Sequence, residues 1–205
     1  MSSNLVYIKK RSTQELVPAI LLTRVTIKQV EITQIAWQKV LDEAIEELRA
    51  KGLTKDLPEH HGWNWRTKHK KYGRKAAYRF LGIECEQKIQ GLMLLNTIYR
   101  PSHISNQKEK QIIYGMFLES APWNISGIVN SPKYSLVGSV LLAAAVRISE
   151  EEECEGRIGL HSLKQSENFY KDCGMTDLGI DQLNENKLRY FELTTSAAKA
   201  FLARR

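Results

Sequence analysis

Residues 111–124 read QIIYGMFLESAPWN, and residues 133–142 read KYSLVGSVLL. The first segment opens with ten residues rich in β-formers and predicts a strand over 111–120. Gly115 inside it is a candidate bulge or point of close backbone approach. The second segment predicts a loop followed by a helix within 131–149, with Gly138 and Ser139 at the junction and LLAAAVRI as the apolar body. A strand that leads through a small-residue turn to a helix start offers unpaired backbone N–H groups and the positive end of a helix dipole. That is a ready site for a pyrophosphate. Downstream, residues 156–163 predict a short strand and residues 166–172 a short helix ending at Gly174. Residues 188–193 predict a late strand, and Ser196 is expected to cap a last helix carrying Ala197, Ala200, Phe201 and Leu202.

Working back toward the start, residues 16–25 (LVPAILLTRV) form a short apolar run and predict a strand. The period then changes. Over 26–51, Ile35/Ala36, Val40/Leu41, Ala44/Ile45 and Leu48 recur at three- and four-residue spacing. Asp42, Glu43, Glu46, Glu47 and Arg49 take the other face, and Lys51-Gly52 supplies a stop. Residues 53–75 turn aromatic and basic, with His60, His61, Trp63, Trp65, Arg66, Lys68, Lys70, Lys71, Arg74 and Lys75, and no acid occurs between Glu59 and Glu84. Residues 78–84 and 88–95 predict a hairpin. The order β, α, three strands, α, β, α, β requires an α/β or α+β fold with a mixed sheet.

The chain has 205 residues and a net charge of +7, with 42% hydrophobic and 26% charged residues. This suits one soluble globular domain over 1–205 and is too apolar for disorder. A chain of this size buries roughly two-thirds of its unfolded surface. Its longest apolar run, 136–146, is well short of the ~20 residues that a membrane helix needs. The opening Met-Ser-Ser-Asn lacks the basic-then-apolar layout of a signal peptide, so the expectation is a cytoplasmic protein with no membrane contact. Cys85, Cys154 and Cys173 are odd in number, 69 and 19 residues apart, and include no C-x-x-C pair. They are expected to be reduced packing residues, forming neither a metal site nor a disulfide framework.

Taken together, YGMFLESAPWN (114–124), KYSLVGSVLL (133–142), EGRIGLHSL (155–163) and SENFYKDCG (166–174) resemble bacterial members of the GCN5-related N-acetyltransferase superfamily. The order of the preceding elements agrees from about residue 16. The resemblance implies a mixed, mostly antiparallel sheet flanked by helices and splayed between its fourth and fifth strands. It implies acetyl-CoA as co-substrate, no metal, and direct transfer of acetyl to a primary amine, an acyltransferase of EC class 2.3.1 that is compatible with a homodimer. The family's turn reads Q/R-x-x-G-x-G/A. Here Lys133 takes the basic position and Gly138 the last glycine, but Leu136 replaces the first glycine, leaving the amides of Val137, Gly138 and Ser139 to bind. Backbone of Leu118, Glu119 and Ser120 would pair with the pantetheine arm.

For the chemistry, the resemblance makes Tyr170 the group that protonates or hydrogen-bonds the departing thiolate. It departs from the family at Met175, where Phe is usual, and at Leu163, where an Asn often contacts the cofactor. Glu119 and His161 compete as general base; each also has a plain structural reading, as a strand carboxylate and a strand-end histidine. His60 and His61, lacking a spaced third ligand, read as loop. The basic aromatic stretch 60–79 reads as a solvated loop with Trp63 and Trp65 plugging the core edge; by the resemblance, Trp63, Asn64 and Trp65, with Trp123 and Asn124, would instead shape the acceptor pocket. The acceptor itself is open: a small molecule, a peptide or an aminoacyl-tRNA. Two other classes stay in view. One is a non-catalytic acyl-CoA sensor or scaffold, motivated by Leu136 and the missing Asn. The other is a nucleic-acid-associated, tRNA-directed protein, motivated by the charge and the basic aromatic stretch 60–79.

Overall fold

The computed structural model describes residues 4–53 and 58–204. The chain divides into two compact units, residues 1–93 with 118–141 and residues 94–117 with 142–205. Both carry antiparallel strands with helices against them, and the architecture is a mixed, mostly antiparallel sheet.

In the first unit, β1 (Leu5–Lys10) and β2 (Leu16–Leu22) pair antiparallel, with Tyr7 opposite Pro18 and Ile8 opposite Val17. β3 (Tyr78–Cys85) pairs with β2, and the two-residue β6 (Tyr134–Ser135) adds to the outer side of β1. β3 turns into β4 (Lys88–Pro101) through Glu86 and Gln87, both with positive φ (51° and 59°), the pattern of a type I′ hairpin turn. The strand order is β6-β1-β2-β3-β4. β4 and its neighbour β5 (Gln111–Ser120) both run on from one unit into the other.

Helix α1 (Ile27–Ala50) matches the expected span, with Thr26 as its cap. The Gln29 N–H donates to Thr26 Oγ1 at 3.3 Å, and the Thr26 N–H donates to Gln29 Oε1 at 2.9 Å, a capping box. The buried face is rotated from the one expected: Val30, Thr33, Trp37, Leu41, Ala44 and Ile45 point inward, whereas Ile35 is 73% exposed. Trp37 fixes the rotation by donating its indole N–H to the Ile89 carbonyl at 3.3 Å. The basic aromatic stretch, expected as loop, contains helix α2 (Trp65–Tyr72); residues 54–57 of it lie outside the described residues.

In the second unit, β5 and β7 (Ile158–Ser162) run parallel, Ile113 opposite Ile158 and Gly115 opposite Leu160. That ladder ends at Gly115, although β5 continues to Ser120 and β7 to Ser162. This fits the splay expected at this pair of strands. β9 (Arg189–Leu193) pairs antiparallel with β7, and β8 (Thr176–Ile180) with β9. Helix α3 (Val137–Glu151) begins in the first unit and continues into the second. α4 (Glu167–Asp172) is capped by Cys173 and followed by Gly174, whose φ of 86° turns the chain into β8. The cap of α5 (Thr195–Ala203) is Thr194 rather than Ser196: its side chain accepts the Ala197 N–H at 3.1 Å. All three cysteines are free and buried.

Candidate active site

The alternation of β5 turns Glu119 inward. It is 5% exposed, while Leu118 and Ser120 on either side are half-buried. A carboxylate there needs a donor, and the indole of Trp65 supplies it, its Nε1–H donating to Glu119 Oε2 at 2.6 Å. Trp65 can reach because α2 starts at it. Asn64 caps the helix by accepting the Thr67 N–H at 2.9 Å, and the Trp65 N–H donates to Gln34 Oε1 at 2.6 Å. Asn64 is therefore a capping residue with its side chain engaged, and Trp65 is buried at 1% exposure.

Two further groups face this carboxylate. His60 Nε2 lies 3.7 Å from Glu119 Oε1. Burial drags the His60 imidazolium down to about 4, so the ring is neutral at pH 7 and the contact is not an ion pair. Lys68, three residues along α2 from Trp65, holds its Nζ 5.0 Å from the Trp63 ring centroid and 5.7 Å from that of Trp65. Burial lowers its ammonium to about 8 against the attraction of Glu119. Burial pushes the Glu119 carboxyl up to about 7, although the Trp65 hydrogen bond and the Lys68 charge both pull it back. A carboxyl poised near neutrality is suited to accepting and releasing protons.

Gly91 on β4 joins this cluster to the start of α3. A Cβ built there would lie 2.5 Å from Val137 Cγ1, 3.0 Å from Leu141 Cδ1 and 3.3 Å from the Glu119 carbonyl oxygen. Only a glycine allows β4 to bring the end of β5 and the first turn of α3 so close. Leu136, not Gly138, marks the helix start: its carbonyl accepts the Val140 N–H at 2.9 Å. Its φ is 69°, so it adopts the left-handed turn that the family's glycine would take freely. Val137, Gly138 and Ser139 thus form the first turn, which contains no acid. Their amides and the positive dipole end fit the chemistry of a pyrophosphate. Lys133 is exposed nearby in sequence, its backbone N–H donating to the Trp123 carbonyl at 3.0 Å.

Trp123 and Asn124 are tied into the connection between β5 and β6. The Trp123 indole donates to Gln90 Oε1 at 2.9 Å. Asn124 Nδ2 donates to the Gln90 carbonyl at 3.2 Å, and its Oδ1 accepts the Tyr134 N–H at 3.1 Å. Their polar atoms hold this loop against β4 and β6.

In the second unit, His161 has both ring nitrogens engaged. Nε2 sits 2.9 Å from Asp181 Oδ2, and Nδ1 sits 2.7 Å from the Tyr114 hydroxyl. In the neutral ring this means Nε2–H donating to the carboxylate and Nδ1 accepting from the phenol. The Arg100 guanidinium stacks 4.3 Å from the Tyr114 ring centroid. Tyr170 on α4 is 7% exposed, with ring centroids 5.0 Å from Phe169 and 5.9 Å from Phe191, and burial raises its phenol strongly.

Of the residues singled out by sequence, Glu119, Trp65, Trp63 and Val137 are gathered in the first unit, while His161 and Tyr170 belong to the second. Lys68 is marked by the sequence only as one of the basic residues of 53–75, and Gly91, Tyr114 and Asp181 are not marked. Helical spacing from Trp65 would have pointed to Lys68; nothing in the sequence marks Asp181.

No family model matches the chain, and no curated protein matches it. Solved structures do. PaiA N-acetyltransferase from Thermoplasma acidophilum, in complex with coenzyme A, is 13% identical over 85% of this chain and 97% of its own, with a TM-score of 0.51. FeeM, an N-acyl amino acid synthase from uncultured soil microbes, is 8% identical over 91% and 97%, with a TM-score of 0.56. A bacterial toxin is 15% identical over 68% and 80%, with a TM-score of 0.54. These likenesses are of fold, and the fold is the one expected from the N-acetyltransferase resemblance.

Proposed function

We propose that the protein is an acetyl-CoA-dependent N-acetyltransferase that moves acetyl directly to a primary amine. The observation that carries this reading is the buried Glu119 carboxyl, pushed up to about 7 by burial against the pull of the Trp65 hydrogen bond and the Lys68 charge, and joined through Gly91 to the first turn of α3. Acetyl-CoA would be held by the amides of Val137, Gly138 and Ser139, by Lys133, and by the backbone of Leu118, Glu119 and Ser120. The half-buried indole of Trp63 offers a face to an acceptor's ammonium. Glu119 takes the proton that the ammonium must lose before attack, and neutral His60 beside it adds no competing charge. Glu119 is preferred to His161 as base because both nitrogens of His161 are already committed. The Tyr170 phenol stabilises the departing thiolate. None of the cysteines has a nucleophilic role.

Calorimetric titration of acetyl-CoA into the purified protein tests this reading, with Gly138→Trp as control. Micromolar binding that the variant loses supports it; no binding to the wild type overturns it and favours a partner-binding role. A nucleic-acid-directed reading draws support from Lys70, Lys71, Arg74 and Lys75, all exposed on and just after α2. It predicts RNA binding that falls steeply with salt, and no binding at low salt disposes of it.

A further inference from the structure

Four lysines and arginines follow Lys68 within seven residues, and all of them are exposed. Lys71 and Lys75 lie over the rings of Tyr72 and Tyr78, whereas Lys68 is half-buried, with its ammonium over two indoles and in the field of Glu119. It presents a primary amine to the same Trp63 indole and the same carboxyl that the acetyltransferase reading assigns to the acceptor. We propose that Lys68 is an internal acceptor: the protein acetylates its own Lys68, and the modification restrains further turnover. The proposal rests on the acetyltransferase reading of this site.

The step balances without any reactant other than acetyl-CoA. The Lys68 ammonium gives one proton to the Glu119 carboxylate, which passes it to solvent. The Nζ lone pair attacks the thioester carbonyl carbon, the N–C bond forms and the C–S bond breaks. The second proton leaves the nitrogen as the amide forms and ends on the sulfur, releasing the free thiol of coenzyme A. Half-burial against the indoles favours the neutral amine, which is the form that attacks.

The restraint follows from charge. Acetylation replaces the ammonium by a neutral amide, and Glu119 loses the nearby cation that helps hold it ionised. His60, being neutral, does not take the place of that cation, so less Glu119 is carboxylate at neutral pH.

The experiment uses the purified full chain and isotopically labelled acetyl-CoA, so that acetyl groups acquired during expression are distinguished. Peptide mapping by mass spectrometry follows labelling at Lys68 against exposed Lys70 and Lys71 as internal references, with calorimetry of acetyl-CoA run on the same samples. Labelling of Lys68 at least about 10-fold faster than of its neighbours is expected. Glu119→Gln should remove that excess and leave the slow labelling of Lys70 and Lys71 unchanged. Gly138→Trp should remove it as well. Acetyl-CoA binding without preferential labelling of Lys68 overturns this proposal while sparing the acetyltransferase reading. Absence of binding overturns both.

Discussion

Replacing Trp65 by Phe tests the poise of Glu119 without requiring the acceptor to be known. The variant keeps an aromatic ring in the 1%-exposed Trp65 position and removes the Nε1–H that donates to Glu119 Oε2 at 2.6 Å. A hydrogen bond to a charged group is worth about 1.5–3 kcal/mol, and 1.36 kcal/mol corresponds to one pH unit, so the Glu119 midpoint should rise by about 1–2 units. Starting from about 7, it should move to about 8–9, and the carboxylate fraction at pH 7 should fall from about one half to about 1–10%. Any rate that depends on that carboxylate should fall roughly 5- to 50-fold at pH 7 and recover toward high pH. The direct assay is NMR of protein carrying ¹³C at the glutamate carboxyls, titrated from acid to alkali. Stability supplies a second readout. Because the folded midpoint lies above the ordinary 4.5, ionising Glu119 destabilises the fold progressively from pH 4.5 to about 7, by on the order of 3 kcal/mol, and the loss then levels off. In the variant that decline should continue to about pH 8–9. The two stability curves should therefore stay parallel below neutrality, offset by the lost packing, and diverge above it. A wild-type Glu119 midpoint near 4.5, or a midpoint unmoved in the variant, would refute the reasoning.

Four shorter predictions follow from other parts of the molecule. Gly91→Ala drives a methyl to 2.5 Å from Val137 Cγ1 and should cost about 1–3 kcal/mol in urea unfolding while weakening acetyl-CoA binding, because α3 must move to accept it. Leu136→Gly removes a side chain from a position with φ of 69° and should tighten acetyl-CoA binding with little change in stability, since relief of the left-handed strain offsets the added chain entropy. Tyr170→Phe should slow transfer by roughly 10-fold or more, inside the 10²–10⁴-fold range of acid–base groups, and leave acetyl-CoA affinity intact; an unchanged rate with chemistry limiting removes Tyr170 from the mechanism. Thr26→Ala breaks the capping box of α1 and should lower stability by about 1 kcal/mol without altering acetyl-CoA binding.

What the sequence made legible were features that repeat within one element. The 24-residue α1 shows its period over several turns, and β5 shows β-prone residues on both sides of Gly115, so both are found where expected. The face of α1 was harder, because Ile35 and Trp37 are two residues apart and differ in which neighbour they meet: Trp37 has the Ile89 carbonyl to donate to, and Ile35 faces outward. Short and polar elements were lost. α2 has eight residues and no apolar stripe, and its existence depends on the Asn64 cap and the burial of one indole; β8 is exposed along most of its length. The site was the least legible part, because its key contacts join distant positions. Trp65 and Glu119 are 54 residues apart and His161 and Asp181 are 20 apart, and no periodicity encodes either pair.

The WNW motif at 63–65 shows how one local ambiguity controls the chemistry. As a loop, its three side chains are equivalent candidates for lining a pocket. With a helix starting at Trp65, they divide. Asn64 spends its oxygen on the Thr67 N–H, Trp65 turns inward to Glu119, and Lys68 returns over the indoles one turn later. The helix cap thus decides which indole meets the buried carboxyl, and through it where that carboxyl titrates. A substitution that shifted the cap by one residue would rotate Trp65 by about 100° about the helix axis and leave Glu119 without its donor, although every residue of the site would still be present.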